Sequence, residues 1–451
     1  MTFDINNYTT ETLENSELNI IFRAYRNIPY VKEPVSPELQ VLNIFIPQDY
    51  IDGGAINGYT AATAPIFFPN GIGGYMEARP CSPCVREDGR FNTEAAALAR
   101  GYVVISAGAR GRTTSDGASY TGKAPACIVD LKAAVRFVRS ISDKICGDVN
   151  RIISNGTSAG GAMSALLAAS GDSPLYLPYL EMLGAEETSD RIFAASCYCP
   201  ITNLEHADAA YEWQYGHLSE QHWEKWEQVG DTWKPTPMHT ILSEEQMRLS
   251  AALKAQFHEY LNSVSPNGLS LNESGCGSFL EHIKGLIISS AEKAHSEGVN
   301  IPTESGIDLA AGTIDFPKYC GFITRMKAPC AFDNPDMYTP ENQLFGDEIT
   351  DKKHFTEFGA KADGSGNHTA PSDVVALMNA MNFTSNEGCA EYWRIRHGAA
   401  DRDTSFAISA MLAQCLIAEG KSVDHFLPWG VPHSGDYDLE ELFEWIDGIC
   451  K

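Results

Sequence analysis

The chain has 451 residues, 43% of them hydrophobic and 10% aromatic, which is enough for a large core and more than one average domain. Its formal net charge of −26 argues against nucleic acid and anionic membrane surfaces as partners. No run of about 18 apolar residues is present, and the first residues lack a secretory signal's basic and apolar regions, so a cytoplasmic chain without a membrane span is expected.

Residues 41–47 read as a strand, and residues 64–70 as a second strand that ends in the turn Gly71-Ile72-Gly73-Gly74-Tyr75. A helix over 93–100 is stopped by Gly101, and a third strand follows over 102–106. Apolar spacing at Ile128, Leu131, Val135 and Val138 predicts a helix over 125–141. A strand over 151–155 then leads through Gly156-Thr157-Ser158-Ala159-Gly160 into the helix-forming run 161–169. The next strand is 192–198. Such alternation predicts an α/β fold, with a mostly parallel sheet covered by helices.

From about residue 202 to 386 the chain turns polar and rich in Trp, Glu and His. Helices are predicted over 244–264 and 279–297. This stretch reads as a lid inserted into the core, dividing the chain into 1–201, 202–386 and 387–451. Trp213, Trp223, Trp226 and Trp233 are expected mainly as lid core. The sheet pattern resumes with a strand over 392–397, a helix over 404–419, a strand over 423–427 and a helix over 438–449. The twelve cysteines lack the spacing of a disulfide scaffold and read as reduced and mostly buried. Cys81-Ser82-Pro83-Cys84 has no second pair to complete a zinc site, and Cys197 and Cys199 read as core packing.

A strand, Gly-x-Ser-x-Gly and a helix in succession form the context of a nucleophile elbow. The turn lifts the Ser158 hydroxyl above the sheet, and the following N–H, that of Ala159, points at a developing oxyanion. A serine needs a histidine base, and that base needs a carboxylate to orient it. In α/β-hydrolase sheets the chain order is Ser, acid, His. Asp401 follows the late strand 392–397, although an N-cap role would also suit it. His433 lies in the loop after the last strand. His397 precedes the acid and so stands in the wrong order, while His425 lies within a strand. The glycines at 71, 73 and 74 allow a close backbone approach, which makes the Gly73 N–H the second oxyanion donor. No phosphate loop, dinucleotide fingerprint or zinc-protease spacing is present, so no cofactor and no metal are expected. The residues point to a serine hydrolase working through an acyl-enzyme; esterase, lipase and peptidase stay open.

Several segments together resemble the bacterial tannases, galloyl esterases of the α/β-hydrolase superfamily. They are Asn70-Gly71-Ile72-Gly73-Gly74-Tyr75-Met76, Gly156-Thr157-Ser158-Ala159-Gly160-Gly161-Ala162, Met326-Lys327-Ala328-Pro329, Glu341-Asn342-Gln343-Leu344-Phe345-Gly346, the run from Arg396 to Thr404, and the loop around His433. The resemblance implies a triad of Ser158, Asp401 and His433. It also implies that Lys327, Glu341 and Asp403 bind a galloyl ring. Three adjacent phenolic hydroxyls suit two carboxylate acceptors and one ammonium donor. Fungal-type tannases and feruloyl esterases carry cysteines next to the catalytic serine and histidine; here Thr157 and Pro432 stand there. The partner implied is a small galloyl ester. A broader hydroxycinnamate esterase, a lid-bearing peptidase and a non-catalytic binder are the alternatives.

Overall fold

The computed structural model describes residues 3–229, 232–362, 364 and 369–451, with Trp226 and Val229 by backbone alone. A nine-stranded sheet forms its centre. The first seven strands are β1 (Thr9–Glu14), β2 (Asn19–Pro29), β3 (Val41–Pro47), β4 (Pro65–Pro69), β5 (Val103–Ala107), β6 (Asp148–Thr157) and β7 (Ala194–Tyr198). A hairpin outside this sheet supplies β8 (Glu220–Val229) and β9 (Thr232–Ile241), and the sheet is completed by β10 (Tyr392–Arg396) and β11 (Ser422–Phe426). Lateral order is β1-β2-β3-β5-β4-β6-β7-β10-β11. The pairings from β1 to β5 are antiparallel, and every pairing from β5 across to β11 is parallel.

The parallel half follows from its sequence. Strands β4, β5 and β7 are buried at every residue, so both faces are covered and their runs are apolar rather than alternating. Between them lie α1 (Thr93–Arg100), α2 (Ala126–Ser140) and α3 (Ala159–Ala169). Gly101 closes α1 in the left-handed conformation, as its position predicts. All eleven residues of α3 are buried, which explains why its Ala and Gly content shows no amphipathic stripe.

Between Tyr198 and Tyr392 no strand joins the main sheet among the described residues. This insertion holds α4 (Leu204–Tyr215), the hairpin of β8 and β9, α5 (Glu244–Val264), α6 (Ser278–Ser296), α7 (Phe316–Ile323) and α8 (Pro340–Leu344). Trp213 on α4 packs against Phe257, Phe279 and Phe316, with ring centroids 5.4, 5.8 and 5.6 Å away. Trp213 is thus lid core, as expected of the group, but Trp233 is 63% exposed and the Trp226 side chain lies outside the described residues. The apolar cluster runs unbroken from the sheet helices into α4, α5, α6 and α7, so the insertion shares the core of the sheet. The chain returns through α9 (Phe406–Ala418) and ends in α10 (Leu439–Cys450).

Three hairpins are absent from the sequence reading, the smallest of them pairing Ile307–Asp308 with Thr313–Ile314. β1 is a mostly exposed edge strand with a single strong apolar position. In β8 the tryptophans at 223 and 226 are three apart, which does not fit a period of two, and β9 carries two prolines. Among the described residues no helix is long and apolar enough to cross a membrane.

Candidate active site

Strand β6 ends in a turn at Ser158, whose backbone sits at φ 59° and ψ −121°. This is the sparsely populated geometry of a nucleophile elbow. The Ser158 N–H donates to the Tyr198 carbonyl on the neighbouring strand at 2.9 Å, which holds the turn down. A Cβ on Gly160 would lie 2.7 Å from Asn70 Oδ1 and 2.8 Å from the Ile72 carbonyl, so only glycine fits there. Asn70 Nδ2 lies 3.1 Å from the Gly160 carbonyl, 3.2 Å from the Asn155 carbonyl and 3.0 Å from Ser164 Oγ. Its Oδ1 accepts the Ile72 N–H at 3.3 Å. One amide therefore fastens the glycine turn to the elbow. Sequence reasoning missed this role; an amide at a strand end before a Gly-rich turn is the only local signal.

His433 Nε2 is 2.9 Å from Ser158 Oγ, and His433 Nδ1 is 2.8 Å from Asp401 Oδ2. The three residues follow β6, β10 and β11, all at the carboxyl ends of parallel strands, where open α/β sheets place their sites. Asp401 is fully buried, and its Oδ1 accepts the N–H groups of Asp403 at 2.7 Å and Thr404 at 3.3 Å. Burial works against charge on both members of the pair, but their mutual attraction outweighs it. His433 is pushed above the ordinary imidazole range, and Asp401, facing His433 and His397, is held well below the ordinary carboxylate range.

Two residues take places that the sequence reading did not give them. His397 Nε2 lies 3.2 Å from Asp401 Oδ2, so the carboxylate serves two imidazoles. Cys199 is a correction: it lies one residue beyond β7 at φ 36°, with Sγ 3.9 Å from His433 Nε2. The strand ends at the edge of the sheet that carries Ser158, so this thiol is buried against His433, whereas Cys197 stays in the core. No disulfide forms among the described cysteines, and Cys81 and Cys84 are unpaired.

A cavity of about 610 Å3 opens over Ser158 and His433. Lys327, Glu341 and Asp403 all line it, as do Tyr338 and Arg402, to which sequence reasoning gave no role, and Trp223, which it expected mainly in the lid core. Lys327 Nζ is 2.8 Å from Asp403 Oδ1 and 4.4 Å from the centroid of the Phe332 ring. Its backbone is held on both sides. The Lys327 N–H donates to Tyr211 Oη at 2.9 Å, and its carbonyl accepts Arg325 Nε at 2.7 Å. Arg325 is itself buried and paired with Glu212 at 2.8 and 2.5 Å. Burial opposes the Lys327 charge, yet Asp403 and Glu341 raise its pKa above the ordinary lysine value.

Glu341 is the second residue of α8, whose N-cap is Thr339. Burial pushes its carboxyl up to about 7, even though Lys327 pulls the other way. A carboxyl with a raised folded-state pKa binds its proton more tightly folded than unfolded. Its cost to stability is therefore full above pH 7 and fades as the pH falls toward 4.5. Glu341→Gln is expected to be on the order of 3 kcal/mol more stable than wild type at about pH 8, with the difference gone by about pH 4.5. Urea unfolding at the two pH values checks this; a pH-independent difference would show that folding does not raise the Glu341 pKa.

Gly74 lines the cavity, and there is open space where a Gly73 Cβ would stand. The Ile72 N–H is used by Asn70, whereas the Gly73 N–H makes no hydrogen bond among the described residues. Ala159 is the first residue of α3, where an N–H has no intrahelical acceptor. The arrangement can thus activate a hydroxyl, receive an oxyanion and hold a polar planar group across one cavity.

Solved structures match the whole chain. The tannase of Fusobacterium nucleatum is 43% identical, with 100% of this chain and 99% of that chain covered and a TM-score of 0.94. A tannase from Lactobacillus plantarum is 44% identical, with 100% and 99% covered and a TM-score of 0.93. A tannin acyl hydrolase in complex with ethyl gallate is 44% identical, with 100% and 98% covered and a TM-score of 0.92. A family profile described as BD-FAE matches residues 85–226. No match was found among curated proteins.

Proposed function

Because the chain belongs to the tannases, galloyl-ester hydrolases with the α/β-hydrolase fold, we propose that Ser158, His433 and Asp401 carry its reaction as nucleophile, general base and orienting acid. Ser158 Oγ attacks the ester carbonyl as His433 Nε2 takes its proton. The N–H groups of Ala159 and Gly73 receive the oxyanion. The protonated His433 gives its proton to the leaving alcohol, and the galloyl-enzyme remains. Water then loses a proton to His433 and attacks the acyl carbonyl; Ser158 leaves with that proton and gallate is released.

The observation that carries the substrate reading is the shared cavity of Lys327, Glu341 and Asp403 with Ser158 and His433. The ring hydroxyls would take over from the Lys327 to Asp403 contact, donating to the carboxylates while the ammonium donates to a phenolic oxygen. Glu341, titrating near neutrality, can accept from one hydroxyl or donate to another. The insertion acts as a lid that supplies this wall.

Hydrolysis of methyl gallate beside methyl benzoate and methyl ferulate tests the reading. Wild type is expected to prefer gallate strongly. Lys327→Ala is expected to lose about a hundredfold in kcat/KM on gallate and little on benzoate, the size of a lost charged hydrogen bond. Equal wild-type rates on the three esters would sink the galloyl site and keep the serine mechanism.

A further inference from the structure

We propose that the β8 and β9 hairpin carries a divalent transition-metal site made by Glu220, His222 and His239. His222 and His239 are direct cross-strand partners, and Glu220 lies two residues before His222, on the same face of β8. The two rings are 4.6 Å apart between centroids and inclined by 32°. Glu220 Oε2 lies 3.2 Å from His239 Nε2 and 3.7 Å from His222 Nε2. The three donor atoms all fall within 4.8 Å of one another.

Those separations match what a small ion requires. Nitrogen and oxygen ligands at about 2.0–2.2 Å from a tetrahedral Zn2+ are roughly 3.4 Å apart. The side chains therefore converge before any ion arrives, because the ten paired positions of the ladder fix how their Cβ atoms face. Two imidazoles and one carboxylate select Zn2+, Ni2+ or Cu2+ over Ca2+ and Mg2+, and three protein ligands leave a position for water. The donors are about half exposed, which leaves a path for an ion. Glu220 and His222 line a small cavity that Arg325 also borders, but the charge of Arg325 is matched by Glu212.

The site is coupled to the substrate cavity through alternation along β8. Gln221 and Trp223 line that cavity, and Gln221 Nε2 donates to the Met326 carbonyl at 2.8 Å, next to Lys327. An ion joining the two strands would hold this wall in one position. The inference is independent of the galloyl reading, because it rests on the hairpin alone.

Isothermal titration of the full chain with Zn2+ tests it, using His222→Ala, His239→Ala, Glu220→Gln and Cys199→Ala. One site is expected in wild type. Either histidine variant is expected to weaken it at least tenfold, and Cys199→Ala to leave it unchanged. The thermal midpoint should rise with Zn2+ in wild type and stay put in His239→Ala. Co2+ should give tetrahedral bands without a thiolate charge-transfer band. No binding, binding that survives both histidine substitutions, or a thiolate band lost in Cys199→Ala would overturn the proposal; the last would move the ion to Cys199 and His433.

Discussion

Ser158→Ala is expected to lower kcat on methyl gallate roughly a million-fold while leaving the affinity for gallate within about threefold. The two outcomes belong together. The hydroxyl is the nucleophile placed 2.9 Å from His433 Nε2, so its loss ends acyl transfer. The rest of the constellation stays in place, because the elbow is held by backbone groups: the Ser158 N–H on Tyr198, and Asn70 on Gly160 and Asn155. Alanine removes the hydroxyl that donates to His433 Nε2 and adds no bulk. Residual activity should be that of water attacking an ester oriented by the cavity and polarised by the oxyanion donors. Single-turnover kinetics with and without the variant, beside gallate titration, decide the matter. Turnover within tenfold of wild type would remove Ser158 from the mechanism.

The second large effect is at the acid. Asp401→Asn is expected to cost roughly ten-thousandfold in kcat without unfolding the chain. An asparagine Oδ1 can still accept the N–H groups of Asp403 and Thr404, so the loop keeps its shape. Its amide then presents N–H toward His433 Nδ1 and His397 Nε2, where wild type presents a carboxylate oxygen at 2.8 and 3.2 Å. His433 must place its proton on Nε2 and can no longer accept from Ser158. The pH profile carries a second reading. Asp401 raises the basicity of His433, so the acid limb of kcat/KM is expected above the ordinary imidazole range in wild type. In Asp401→Asn the limb moves to lower pH, because the neutral amide no longer stabilises the imidazolium. A limb that stays in place would mean that another group sets the proton affinity of His433.

Ser158, Asp401 and His433 were legible in the residues because each is announced locally. An apolar strand, a Gly-x-Ser-x-Gly turn and a buried helix come in immediate succession, and the acid and base each follow a late strand in the required order. The set proposed to bind the ring was suggested only by the family resemblance. Lys327, Glu341 and Asp403 lie in three separate segments, and charge on a polar insertion reads by itself as solvated surface.

The local patterns of this chain dictate its parallel sheet and the placement of Ser158, Asp401 and His433 at one edge of that sheet. Both depend on short-range periodicity, turn chemistry and the direction in which parallel strands run. Folding alone brought Asn70 onto the elbow, set His397 on the same carboxylate as His433, moved Cys199 from core to the edge beside His433, and paired His222 with His239 on a hairpin no period revealed. The reason is physical: each of these contacts joins residues far apart in the chain through one or two polar atoms. Such contacts leave no repeating trace in sequence and exist only once the apolar core has brought their segments together.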